Sequence, residues 1–204
     1  PISLYHDSPY SISKIVGELY GNYYWGRYAL PLVKARFQNV YGPREILGAG
    51  QWRGTPHTVW RNVIPTFIWK ALHGEALPLD NGGNASRDFI FVEDMAVGLI
   101  KCAETGEPGE VYNLASGVET TILELAELIN DITNNKQPPI IKPARDWDRS
   151  GRRFGSTEKA EKFLDFQARV VLTEGLKATV DWTQKNREMI LACMANHSIH
   201  LKST

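Results

Sequence analysis

The chain has 204 residues, enough for one large or two small domains with a substantial buried core. Its composition (43% hydrophobic, 23% charged, 10% aromatic) is that of an ordinary globular protein, and 23 basic residues balance 23 acidic ones. That balance excludes a global field that would recruit nucleic acid or an anionic membrane surface. The sequence shows no apolar run of about 18 residues and no signal-peptide pattern, so a reducing cytoplasm is the expected compartment. Cys102 and Cys193 both sit in apolar helical patterns, and buried free thiols are expected.

The first predicted element is a helix from about Ser8 to Arg27. Pro9 suits its first position and Ser8 its cap. Ile12, Ile15, Val16, Leu19, Tyr23 and Tyr24 form an apolar stripe, which is either core or one half of a helix-to-helix dimer contact. Tyr10 and Lys14 are four residues apart and share one face. A phenol loses its proton near pH ~10, and a neighbouring ammonium favours the phenolate. A Tyr tuned in this way serves as general acid or base towards a hydroxyl. The alternative is a surface Tyr beside an unrelated Lys.

Leu30 to Gln38 reads as a strand that ends in the turn Asn39-Val40-Tyr41-Gly42-Pro43-Arg44. Residues 44–61 form a long loop containing Gly48-Ala49-Gly50-Gln51-Trp52-Arg53-Gly54, a faint imitation of a dinucleotide-binding glycine loop. That reading fails because no strand leads into the loop, no clear helix follows it, and the acidic residue expected about 20 positions on is missing. A helix then spans Asn62 to Gly74, with Pro65 in its first turn. Ala76 to Asp80 and Arg87 to Val92 are predicted strands across a Gly- and Asn-rich turn, and Glu93 to Thr105 is helical. Glu110 to Ala115 returns as a strand, and Thr121 to Asn134 is an amphipathic helix. Pro138 to Lys142 is a short strand, followed by a charged loop from Arg145 to Gly155 and a helix at about Thr157 to Leu164. Thr173 caps a final helix that runs to or beyond Asn186. The alternation of strands and helices predicts an α/β fold with a doubly wound parallel sheet, whose ligands sit outside the carboxyl ends of the strands.

Four segments occur in order at suitable spacing: Ser8-Pro9-Tyr10 through Lys14, Ala35 to Pro43, Arg87-Asp88-Phe89-Ile90-Phe91-Val92-Glu93-Asp94, and Glu110 to Gly117. Together they resemble the NAD-dependent epimerase/dehydratase family, the extended short-chain dehydrogenase/reductases that act on nucleotide sugars. The resemblance covers residues 8–186 and only the later part of the family's pattern. The family's glycine-rich cofactor motif and its catalytic Ser or Thr both precede the Tyr, so this chain alone is expected to be inactive. The implied fold is the later part of a Rossmann-like sheet with a smaller α/β substrate lobe. Residues 1–43 and 107–135 would belong to the Rossmann-like part, 44–106 and 136–190 to the substrate lobe, and 191–204 to a frayed tail.

The resemblance also implies roles. Tyr10 would be the acid/base that takes a proton from the sugar hydroxyl while hydride passes to the nicotinamide. Lys14 would bond the nicotinamide ribose and lower the Tyr pKa. Asn39 and Val40 would face cofactor and sugar, with NAD as cofactor and NADP left open. Asn39, Asn62 and the adjoining Val63 would contact the substrate, and Arg87 and Arg145 would hold its pyrophosphate. Two guanidiniums offer forked donors to anionic oxygens. Other readings stay open: Asn39 as a turn residue, Asn62 as a helix cap, Arg87 in a surface ion pair, and Arg152 or Arg153 in the place of Arg145. The implied partners are a nucleotide-diphosphate sugar and a second copy of the chain, bound through the Tyr10–Lys14 helix. Neither nucleic acid nor membrane is expected. The five histidines and two cysteines make no metal-ligand spacing beyond His197 and His200, so no metal is expected. Within the family, 4-epimerase, dehydratase and reductase chemistries all remain candidates, and Asn39 and Asn62 favour the 4-epimerase. A binding module without catalysis, or a dimerisation piece, are the readings of another class.

Overall fold

The computed structural model describes residues 9–45, 62–144 and 151–196. In chain order its elements are α1 (Pro9–Tyr28), β1 (Lys34–Phe37), β2 (Asn39–Tyr41), α2 (Val63–Leu72), β3 (Pro78–Asp80), β4 (Ser86–Phe91), α3 (Val92–Thr105), β5 (Val111–Leu114), β6 (Glu119–Thr121), α4 (Ile122–Thr133), β7 (Ile140–Lys142), β8 (Arg152–Arg153), α5 (Glu158–Leu164), α6 (Leu172–Lys185) and α7 (Arg187–Asn196). The chain forms two interleaved compact units: residues 1–40, 86–119 and 144–169 make the first, and the remainder the second. The segment 86–106 therefore lies with the first unit, whereas the boundaries drawn on the sequence set it with the substrate lobe.

In the first unit, β1 pairs in parallel with β5, Lys34 opposite Val111 through Phe37 opposite Leu114. α3 and α5 pack on this pair. Ile90, Met95, Cys102, Tyr112, Leu114, Ala160, Leu164 and Phe166 make the core, with Val33, Ala35, Val40 and Ala168 at its margin. Gly98 lets α3 approach closely, because a Cβ there would stand 3.0 Å from the Phe166 ring and 3.1 Å from Leu114. β4 also pairs in parallel with β8, Ser86 opposite Arg152 and Arg87 opposite Arg153.

α1 begins with Pro9 and ends where Ala29 turns to φ 53°. The Ala29 and Leu30 amides there donate back to Trp25 and Tyr24, satisfying the last turn. Arg36 clamps α1 to β1 by donating to both Glu18 carboxylate oxygens, at 2.7 and 2.6 Å. Lys34 bonds Asn22 Oδ1 at 2.5 Å and the Gly109 carbonyl at 2.6 Å. The only buried residue of α1 is Gly21, against Leu32. Ile12, Ile15, Val16, Leu19, Tyr23 and Tyr24 are all exposed, so of the two readings of that stripe the described residues do not make it core.

In the second unit, α2, α4 and α6 pack on one another. Ile64, Phe67, Ile68, Leu125, Ile129, Leu176 and Val180 are buried there, with Leu77 and Leu79 from the β3 segment. β3 pairs in parallel with β7, Pro78 opposite Ile140 through Asp80 opposite Lys142. α4 opens with a capping box: the Thr121 hydroxyl accepts from the Glu124 amide while the Glu124 carboxylate accepts from the Thr121 amide.

Five expectations need correction. Asn39 to Tyr41 is the strand β2, which pairs with β4, instead of a turn. β3 and β4 do not pair across the Gly-Asn turn, since each has a parallel partner elsewhere. The strand β6 and the two-residue β8 were not foreseen. α6 starts at Leu172 after a Val171 cap, which puts Thr173 inside the first turn. Cys102 is buried as expected, but Cys193 is only half-buried; both are free thiols. The Ser8 cap and the Gly48–Gly54 segment lie outside the described residues.

Candidate functional site

Helical spacing brings Tyr10 and Lys14 onto one exposed face at the start of α1. The Lys14 ammonium stands 5.0 Å from the centre of the Tyr10 ring, over its face, and Tyr10 is 70% exposed. Ser13 Oγ donates to the Tyr10 carbonyl at 2.8 Å, which stiffens this first turn. The α1–β1 clamp leads the chain to Asn39, which is exposed at the start of β2. Val40 beside it is half-buried and packs against the core of the first unit.

Arg87 lies on β4, half-buried. Its Nη1 donates to the Ser86 carbonyl at 2.7 Å and to the Gly151 carbonyl at 2.8 Å, and these two carbonyls orient the guanidinium. Arg145 lies outside the described residues. Of its two substitutes, Arg152 is engaged elsewhere: it donates from Nε and Nη2 to the two oxygens of Glu119, at 2.7 and 2.5 Å. Ser86 Oγ donates to the same carboxylate. These charge-assisted bonds hold the Glu119 carboxyl well below the usual carboxylate range, at about 2.

Two of the three carboxylates of the Arg87–Asp94 segment, Asp88 and Asp94, are structural. Asp88 is fully buried and accepts from the Ser116 amide (2.8 Å), the Ser116 hydroxyl (2.7 Å) and the Gly117 amide (2.9 Å). It ties β4 to the turn after β5. Asp94 accepts from the Arg169 amide at 3.0 Å. Neither offers a free acid to a ligand.

In the second unit, Asn62 occupies the N-cap position of α2 and Val63 is the first helical residue. The Asn62 side chain makes no cap bond, and its Nδ2 donates to Glu45 instead. Burial pushes the Glu45 carboxyl up, and the bond from Asn62 partly offsets this. Sequence reasoning missed Glu45, Glu119 and the part played by Asp88. Only Asp88 had a signal, its place in the Arg87–Asp94 segment. Among the described residues no group of three or more His, Cys, Asp or Glu is arranged to hold a metal. No helix among them is long and apolar enough to cross a membrane.

The model of the NAD dependent epimerase/dehydratase family matches residues 1–115. The chain is 32% identical over 184 residues to the dTDP-D-glucose 4,6-dehydratase of Mus musculus, covering 88% of this chain and 48% of that protein. It is 30% identical over 175 residues to the UDP-glucose 4-epimerase of Mycolicibacterium smegmatis, covering 86% of this chain and 52% of that one. Among solved structures it is similar to the Bordetella bronchiseptica enzyme WbmF, solved in complex with NAD+ and UDP, with 59% identity and a TM-score of 0.87 over 98% of this chain and 60% of that one. The chain thus spans about half the length of the curated relatives it matches. With the α/β fold and four motif segments in place, the chain belongs to the NAD dependent epimerase/dehydratase family.

Proposed function

We propose that this chain carries the substrate-binding part and the Tyr-Lys pair of a nucleotide-sugar epimerase of the 4-epimerase type. The observation that carries the reading is Tyr10 beside Lys14 on one exposed face, in a chain of this family. Their chemistry fits a nicotinamide cofactor, because an ammonium offers three donors to a ribose diol and a phenol exchanges a proton with a hydroxyl. Tyr10, Lys14, Asn39 and Val40 would hold NAD, as WbmF holds NAD+. When bound, NAD supplies the two-electron acceptor and donor for the sugar carbon. Tyr10 takes the proton of the sugar C4 hydroxyl and later returns it. Lys14 holds its ammonium over the face of the Tyr10 ring, 5.0 Å from its centre, where it can reach a ribose hydroxyl.

Asn39, Asn62 and Val63 contact the sugar, and Arg87 and Arg145 hold the diphosphate. The sequence holds no glycine-rich turn placed for a dinucleotide, so the chain alone binds the sugar nucleotide without turning it over. A 4,6-dehydratase is the second reading, favoured by the identity to the mouse enzyme. Incubating the chain with UDP-glucose and NAD+ tests these readings. No turnover is expected, UDP-galactose formation would overturn the proposed inactivity, and loss of water from the sugar would favour the dehydratase. The partner is a second copy packed on α1, whose exposed apolar row includes Leu19 at 61% and Tyr20 at 62%.

A further inference from the structure

We infer that Glu45 is a positioning residue that turns the Asn62 carboxamide out of the helix cap to read a neutral hydroxyl on the sugar of the bound sugar nucleotide. The inference rests on the function proposed above and adds to it a residue that none of the motif segments assigns. Asn62 stands at φ −97° and ψ 137°, the backbone geometry in which an Asn folds back to accept from a first-turn amide. It forgoes that bond. Only its backbone carbonyl serves the helix, accepting from Thr66 Oγ1 at 2.8 Å and from the Thr66 amide at 3.5 Å. The side chain instead donates from Nδ2 to Glu45 Oε1, across 17 residues of sequence.

Giving up a cap costs about 1 kcal/mol, so the diversion needs a compensating role. A carboxamide has two N–H donors and one carbonyl oxygen, and its bond to Glu45 uses one donor and fixes the plane of the group. The charge beside it selects what that group meets. A carboxylate adjoining Asn62 repels a diphosphate and accepts from a hydroxyl, so the pair suits a neutral sugar hydroxyl and not an anion. Glu45 is half-buried and Asn62 exposed, which puts the amide at the surface and its support beneath.

Titration calorimetry of the 204-residue chain with UDP-glucose and, separately, with UDP tests this in the wild type, Glu45→Ala and Glu45→Gln. Glu45→Ala is expected to weaken UDP-glucose about tenfold and to change UDP by less than about twofold. Gln retains an oxygen that accepts the same bond, so Glu45→Gln should keep most of the affinity. Unchanged UDP-glucose binding in Glu45→Ala, equal weakening of both ligands, or a Gln variant as poor as Ala would overturn the inference alone. A wild type that binds neither ligand would overturn the proposed function and this inference with it. A second readout needs no ligand: the Asn62 side-chain amide resonances should move as Glu45 titrates, and resonances indifferent to that titration would overturn the pairing.

Discussion

At Glu119, the Arg152 guanidinium and the Ser86 hydroxyl converge on one carboxylate. Its pKa falls from the ordinary 4.5 to about 2, so folding favours the ionised form. The stabilisation is therefore full above about 4.5 and is lost as the pH falls through about 2. In Arg152→Ala the Glu119 midpoint, followed by NMR, should rise towards the ordinary value; an unmoved midpoint would contradict the assignment. Asp88 is a different case, a buried acceptor of three donors. Asp88→Asn turns an N–H towards one of the backbone amides it now satisfies, and should cost about 1–3 kcal/mol in urea unfolding. The closeness of Tyr10 and Lys14 was legible in the sequence because helical spacing alone sets it. Glu45 and Glu119 were not, because the partners that define them lie 17 and 33 residues away. Only the folded backbone brings such residues together.

The helices were readable because their signals are local. Thr121 and Glu124 form the capping box of α4, and Thr121→Ala should lower stability by about 1 kcal/mol in thermal or urea unfolding. The turn before β4 is set by backbone shape. Gly83 has φ +76°, and a Cβ there would stand 2.8 Å from the Leu123 nitrogen, within the second unit. Gly83→Ala should therefore cost more than about 1 kcal/mol, read in the same unfolding curves. The strands were harder to read. β6 and β8 have three and two residues, too few for an alternating pattern to register. β2 contains Asn39 and runs into Gly42-Pro43, so local turn chemistry masked a segment that sheet pairing holds extended. Thr173 is a good cap residue by type, yet the cap lies two positions earlier, at Val171, which has the extended backbone of a cap.

Over the whole molecule, the parallel pairings of β1 with β5 and β3 with β7 agree with the α/β class read from alternating elements. Which strand pairs with which was not legible, since parallel partners are 62 to 77 residues apart in these two pairs (Lys34 to Val111 and Pro78 to Ile140). The exposed apolar face of α1 is the surface that the proposed second copy would cover. If a second copy covers it, sedimentation should give a dimer, and Leu19→Lys should give a monomer with unchanged helix content. A wild-type monomer would contradict that partner. In the proposed function the chain holds a sugar nucleotide through Arg87 without needing the dinucleotide. The most direct measurement is calorimetric titration with UDP-glucose, with and without NAD+, in the wild type and in Arg87→Ala, each checked for folding by its melting curve. Binding should be insensitive to NAD+ and at least about tenfold weaker in the folded variant. Equal affinity in Arg87→Ala, or no binding by the wild type, would contradict it.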